Sequence, residues 1–321
     1  MLNILNKIKE YQKVIIHRHS NPDLDALGSQ IGLRETLRLN FPEKEVYAVG
    51  DMNRFDFLGQ MDEVADEKFN DALCIICDVA VSHMISDYRY FDAKEVIVID
   101  HHQNETNLST PEKEFNKPLY RYVDTKSAAC CAIVADMIKE WGLEIPKEAA
   151  TALYGGIVTD SGRFQYGSLA PLFKTSAYLA DNGADAQYIY RNLYVETLES
   201  RLMKNYFQSK MLLSKNNVGY MINDKDVFEK FDVDTFTVSR GMVNLMAGID
   251  KVRIWANFTY DRATGKVICE FRSRDVVIVD IAKKYGGGGH AFACGATIDN
   301  FDVVKEVLND FDNLLEENKN V

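Results

Sequence analysis

The stretch Glu95-Val-Ile-Val-Ile-Asp100-His101-His102 decides the fold. A strand-like apolar run ends in a carboxylate and two imidazoles. The pattern recurs: Lys13-Val-Ile-Ile-His-Arg18 leads into His19-Ser-Asn-Pro-Asp23-Leu-Asp25, Ala72-Leu-Cys-Ile-Ile-Cys77 into Asp78, and Gly155-Gly-Ile-Val-Thr159 into Asp160. In open α/β sheets, sites form outside the carboxyl ends of the strands. Carboxylates and imidazoles converging there are most simply explained by metal ions.

Working outward, apolar strand-sized runs alternate with helical patterns over residues 1–185. That alternation predicts a mainly parallel sheet with helices on both faces. Residues 171–213 read as almost continuously helical, with a break near Asn182-Gly183, and residues 186–213 serve as a helical connector. A smaller α/β domain is expected over 214–321: a strand at Asn217–Asn223, helices through Phe236–Ile249, and paired strands on either side of Arg262–Gly265. A helix leading into Gly286–Gly289, a strand and a closing helix complete it.

Composition bounds the function. The chain has 321 residues, 46% hydrophobic and 26% charged, as an ordinary globular protein does. No run approaches the ~20 apolar residues of a membrane span. The N-terminus reads as an amphipathic helix rather than a signal peptide, so a cytoplasmic location is expected and no membrane partner. The net charge of −11 argues against a protein that coats long duplex nucleic acid, but not against a short anionic substrate. Cys74 and Cys77 form a C-x-x-C, yet a spacing of three within a strand turns the side chains to opposite faces. Small buried thiols in a reducing compartment account better for the six cysteines.

Capping of a helix explains one of Asp23 and Asp25 and leaves His19 without a role. Asp78 and Asp100 end apolar strands, where an unpaired charge is costly. Asp160 stands in a glycine-rich apolar helix. Crowded aspartates would repel and hold protons unless cations neutralised them. Oxygen and imidazole ligands without thiolate suit two divalent ions, with Mn²⁺ the best fit ahead of Mg²⁺, Co²⁺ or Zn²⁺.

These residues and their order resemble the DHH phosphoesterase family, and the likeness covers the chain. The segment from His19 to Asp25, Asp78, Asp100-His101-His102 and Asp160 is similar to its four metal-binding motifs. The second half resembles the DHH-associated substrate domain, with its glycine run and histidine here at 286–290. Size and Arg272-Ser-Arg274 look most like the stand-alone members that degrade short oligoribonucleotides and dephosphorylate 3′-phosphoadenosine 5′-phosphate (pAp). The resemblance implies that His19 and Asp23 hold one metal, that Asp25, His101 and Asp160 hold the other, and that Asp78 bridges them. It implies that Asp100 orients a neighbour and that His102 reaches the substrate phosphate. Arg272, Arg274, Gly288, Gly289 and His290 would meet substrate. A homodimer stays open.

The residues of the second domain agree with that expectation. Consecutive glycines let main chain approach a ligand, and successive N–H groups can form an anion nest. Arg272 and Arg274 share a strand face and would clamp a phosphate, although Glu270 shares that face and can pair with one of them. The rival readings are an inorganic pyrophosphatase, which shares the metal domain, and a nucleotide sensor with a degenerate site.

Overall fold

The computed structural model describes residues 1–51, 55–103 and 107–318. The chain divides into two compact units, Met1–Val195 and Glu196–Val321.

The first unit contains α1 (Leu2–Glu10), β1 (Lys13–His17), α2 (Leu24–Asn40), β2 (Glu45–Ala48), β3 (Leu73–Cys77), β4 (Glu95–Asp100), β5 (Leu119–Val123), α3 (Cys130–Trp141), α4 (Lys147–Asp160), α5 (Leu169–Asp181) and α6 (Ala186–Leu193). Its strands form one parallel sheet in the order β2-β1-β3-β4-β5. Ile16, Ile75 and Ile97 stand in register and pack under α1, α2, α3 and α4. Their neighbours Ile15, Cys74 and Val96 face the other way, against Phe69, Tyr90 and Phe91 from loops and a 3-10 helix. Burying each such aliphatic side chain stabilises by roughly 1.5–3 kcal/mol. Cys74 and Cys77 lie on opposite faces, and all six cysteines are free, buried thiols. Strand β5 carries no apolar run that could be read in advance. It is an edge strand whose Tyr120 and Val123 are exposed.

Two glycines bring α2 and α4 together. A Cβ at Gly28 would meet Ala152 O at 2.5 Å, and one at Gly156 would meet Asp25 Oδ1 at 2.8 Å. Only glycine permits this approach. It sets Asp160, one turn beyond Gly156, beside Asp25.

The second unit contains α7 (Leu198–Ser209), β6 (Leu212–Leu213), β7 (Gly219–Asn223), α8 (Asp226–Lys230), β8 (Ile254–Tyr260), β9 (Val267–Ser273), α9 (Val279–Lys284), β10 (Gly288–His290), β11 (Ala293–Ile298) and α10 (Val304–Glu317). Its sheet runs β10-β11-β9-β8-β7-β6, and only β7 and β8 pair in parallel. Phe258 and Phe271 pack on Phe311 of α10, while Met221 and Trp255 pack on Phe207 of α7 from the opposite face. The helix expected through 236–249 is a π turn followed by a 3-10 turn. Buried Asn257 explains this. Its amide donates to Val238 O and Ser239 O, both at 2.7 Å, and so takes carbonyls that a regular helix would use.

Among the described residues, no helix is long and apolar enough to cross a membrane.

Candidate metal centre

Adjacent strands β1, β3 and β4 end at one edge of the sheet. The residues just past them converge with the start of α2 and the end of α4, all within the first unit. His19 Nε2 lies 3.9 Å from Asp23 Oδ1 and 3.8 Å from Asp78 Oδ2. His101 Nε2 lies 3.3 Å from Asp78 Oδ1, 3.4 Å from Asp160 Oδ2 and 3.7 Å from Asp25 Oδ2. His19, Asp23 and Asp78 form one group with metal-ligating spacing, and Asp25, His101 and Asp160 form a second. A third, Asp78, His101 and His102, overlaps both. Asp78 and His101 stand between the groups.

Each side chain is held by local structure. Asp23 caps α2, with Oδ1 accepting from Asp25 N at 2.9 Å and Ala26 N at 3.0 Å. Asp25 is fully buried, and its two oxygens accept from Cys130 N at 2.6 Å and Cys131 N at 2.8 Å. These are the first amides of α3, an N-terminus suited to holding an anion. A carboxylate has about four lone-pair sites, so Asp25 keeps capacity for a cation. Asp78 takes a left-handed backbone, φ 56°, and its N–H donates to Ile99 O at 3.0 Å. His101 Nδ1 faces Ser127 O at 3.3 Å, which leaves Nε2 toward the carboxylates. His102 Nδ1 lies 2.7 Å from Asp100 Oδ1, and that oxygen also accepts from His101 N at 2.8 Å. Asp100 itself is buried.

Electrostatics mark the cluster as short of positive charge. Burial, then the charges of Asp78 and Asp160, hold Asp25 well above the usual carboxylate range. Burial, with Asp23 and Asp78, pushes Asp160 up to about 7. Burial alone would lower His101, but Asp78, Asp25 and Asp160 outweigh it and push its pKa up to about 9. The centre therefore holds protons where cations would neutralise it. Asp78 Oδ1 is buried without a well-aligned hydrogen-bond donor. A buried carboxylate oxygen in that state, flanked by oxygen and imidazole donors, fits divalent metal.

Past Asp160 the chain reverses through three consecutive left-handed residues: Gly162 (φ 57°), Arg163 (φ 62°) and Phe164 (φ 64°). For non-glycine residues this costs roughly 1–2 kcal/mol each. Buried Ser161 secures the turn, its Oγ accepting from Phe164 N at 2.9 Å and its carbonyl from Tyr166 N at 2.9 Å.

The second unit places the other expected residues. The glycine run is more ordered than a loop. Gly288–His290 pairs with β11, with Gly289 opposite Cys294. A Cβ on Gly287 would lie 2.0 Å from Gly295 O, and one on Gly289 2.7 Å from Cys294 Cα, so packing alone requires both glycines. At Gly288 a Cβ would meet nothing within 4 Å. Gly288, Gly289 and His290 are exposed. Arg272 pairs with Glu270 at 2.9 Å and donates to Phe271 O at 2.8 Å. Arg274 lies beyond the end of β9 and donates to Ile249 O at 3.0 Å, so the two guanidinium groups bind different partners.

Two contributions to the first unit's site were not read from the sequence: the Ser127 carbonyl on His101, and the Cys130 and Cys131 amides on Asp25. The amides had a signal, because a helix N-terminus predicts anion binding. A carbonyl contact such as that of Ser127 has none.

A parallel α/β sheet with a carboxylate–imidazole cluster at its carboxyl edge is the setting of a divalent-metal site. The model of the DHH family, N-terminal domain, matches residues 13–157, and that of the DHHA1 domain matches 226–317. The chain belongs to the DHH family. It is 34% identical over 95% of its length to a protein of Streptococcus mutans named probable bifunctional oligoribonuclease and PAP phosphatase NrnA, and covers 97% of that protein. It is 32% identical over 98% of its length to the Bacillus subtilis bifunctional oligoribonuclease and PAP phosphatase NrnA, covering 99%. An exopolyphosphatase-related protein from Bacteroides fragilis has the same fold, with a TM-score of 0.75 at 25% identity, covering 98% of this chain and 96% of that one.

Proposed function

We propose that the protein is a two-metal phosphoesterase that hydrolyses short oligoribonucleotides, dinucleotides and pAp. The observation that carries this reading is the pair of ligand groups linked at buried Asp78, which belongs to one group and lies 3.3 Å from His101 of the other. The relatives at 32% and 34% identity, matched over nearly their whole lengths, support the substrate class over the pyrophosphatase alternative.

In this reading His19, Asp23 and Asp78 hold one ion, and Asp78, Asp25, His101 and Asp160 hold the other. The donor set of oxygen and imidazole favours Mn²⁺. When bound, two such ions supply an activated water and neutralise charge on the phosphoryl oxygens. The rest of the site prepares the substrate. Asp100 fixes the ring of His102, leaves its Nε2 free to donate, and raises its pKa through their hydrogen bond. A protonated His102 donates to an oxygen of the scissile phosphate as negative charge builds there. Arg272, Arg274, His290 and the amides of Gly288 and Gly289 anchor a terminal phosphate or nucleotide. The open space over Gly288 supports that role. The free thiols support a reducing, cytoplasmic setting.

The test is turnover by the Mn²⁺-loaded protein of pAp, a dinucleotide, a long RNA and pyrophosphate. The reading predicts cleavage of pAp and the dinucleotide in preference to long RNA. Preferential cleavage of pyrophosphate would favour the rival.

A further inference from the structure

The turn after Asp160 contains a residue whose N–H closes the end of α4, donating to Val158 O at 2.7 Å, and whose side chain is not explained by packing. A Cβ on Gly162 would lie 2.5 Å from the Tyr166 ring, which accounts for the glycine. Phe164 stacks on Phe173, with centroids 5.3 Å apart and planes at 24°, and packs against the core of the first unit. Between them Arg163 takes φ 62°, a conformation that favours glycine or asparagine. Its side chain has no carboxylate partner among the described residues. Its guanidinium carbon instead lies 5.7 Å from the centroid of Tyr194. Tyr194 in turn stacks on Tyr190, with centroids 5.5 Å apart and planes at 22°. Tyr190, Tyr194 and Arg163 thus stand in series, all three exposed, with Arg163 three residues along the chain from Asp160.

We infer that Arg163, backed by Tyr194 and Tyr190, is the stacking platform for the nucleobase beside the scissile phosphate. The inference rests on the short-oligonucleotide reading above and adds the subsite that holds a base. A guanidinium plane stacks on a base face while its edge donates to phosphate oxygens. Every base has a π-face, so such a platform binds without selecting a sequence. The strained backbone has a use here, because it turns a long cationic side chain outward at a fixed place. A general nuclease for very short chains needs this kind of contact, since a dinucleotide offers few phosphates to hold.

The experiment compares kcat/KM for a dinucleotide with kcat/KM for two analogues, each abasic at one of its two residues. It uses the full-length Mn²⁺-loaded protein and the variants Arg163→Asn, Tyr194→Ala and Tyr194→Phe. Asparagine tolerates the left-handed backbone. Metal content and Tm are recorded for each variant, and Tyr194→Ala decides alone if Arg163→Asn does not fold. In the wild type, loss of one base should lower kcat/KM on the order of tenfold. Arg163→Asn and Tyr194→Ala should abolish that ratio through KM, and Tyr194→Phe should restore it. A ratio unchanged in both variants, or absent in the wild type, overturns the platform while leaving the phosphoesterase reading intact. Failure of the wild type to cleave the intact dinucleotide overturns that reading itself, and the inference with it.

Discussion

His102 Nδ1 lies 2.7 Å from Asp100 Oδ1, and the backbone N–H of His101 donates to the same oxygen. One buried carboxylate thus fixes both members of the histidine pair, one through its ring and the other through its backbone. Both rings approach Asp78 Oδ1, His101 at 3.3 Å and His102 at 3.6 Å, and they differ in their other partners. His101 Nε2 faces Asp78, Asp160 and Asp25. His102 is 39% exposed at its side chain and has one nitrogen committed to Asp100.

Replacing Asp100 with asparagine should separate positioning from metal binding. The hydrogen bond from Asp100 is the leading cause of the raised pKa of His102. Asp100→Asn should leave metal content near that of the wild type and lower kcat about 10–100-fold. The alkaline limb of the pH–rate profile should move to lower pH, because the protonated imidazole is then lost earlier. A profile unmoved in shape would rule out His102 as the donor.

Metal binding should release protons. In the metal-free protein Asp160 holds a proton up to about pH 7 and His101 up to about pH 9. Both folded values lie above the unfolded ones. Their favourable contribution to the metal-free fold is present below the unfolded pKa and disappears as pH rises through the folded one. The metal-free protein should lose thermal stability between about pH 4 and 7 through Asp160, and between about pH 6.5 and 9 through His101. Mn²⁺ affinity should rise over the same range. Calorimetry at pH 6.5 in buffers of different ionisation enthalpy should show net proton release. An affinity independent of pH would contradict this account.

Two neighbouring glycines in the second unit offer a contrast. Gly287→Ala places a methyl 2.0 Å from Gly295 O and should lower stability by about 1–3 kcal/mol or more. Gly288→Ala meets open space and should keep the wild-type Tm. If that space admits substrate, the added methyl of Gly288→Ala should hold the ligand off the main-chain N–H and raise KM for a dinucleotide roughly tenfold, as expected when a hydrogen bond to a charged group is broken. Unchanged KM values for both pAp and the dinucleotide would remove Gly288 from the substrate surface.

Much of this molecule is legible in the sequence, because buried parallel strands carry continuous apolar runs and ionisable residues are conspicuous at their ends. Val14–Ile16, Leu73–Ile76 and Val96–Ile99 announce three neighbouring strands. His19, Asp78 and His101 announce the edge where they finish. Strand β5 escapes because an edge strand with mixed exposure has no such run. Strand β10 escapes because three exposed residues, two of them glycine, carry no strand signal. The glycine run itself is only half legible. Gly287 and Gly289 answer to the packing of β11, and only Gly288 is left free of a structural demand. Contacts made by backbone atoms depend on long-range placement: no local pattern encodes Ser127 O on His101, and a helix N-terminus shows that the Cys130 amide can hold an anion without showing that the anion is Asp25.

In the proposed reading Asp78 joins two metal sites into one catalytic centre. The most direct measurement is dinucleotide turnover by Asp78→Ala at saturating Mn²⁺, beside the wild type. Turnover should vanish while the Asp78→Ala protein stays folded by circular dichroism, since the proposed reading gives Asp78 to both ions. A kcat close to that of the wild type would contradict the account.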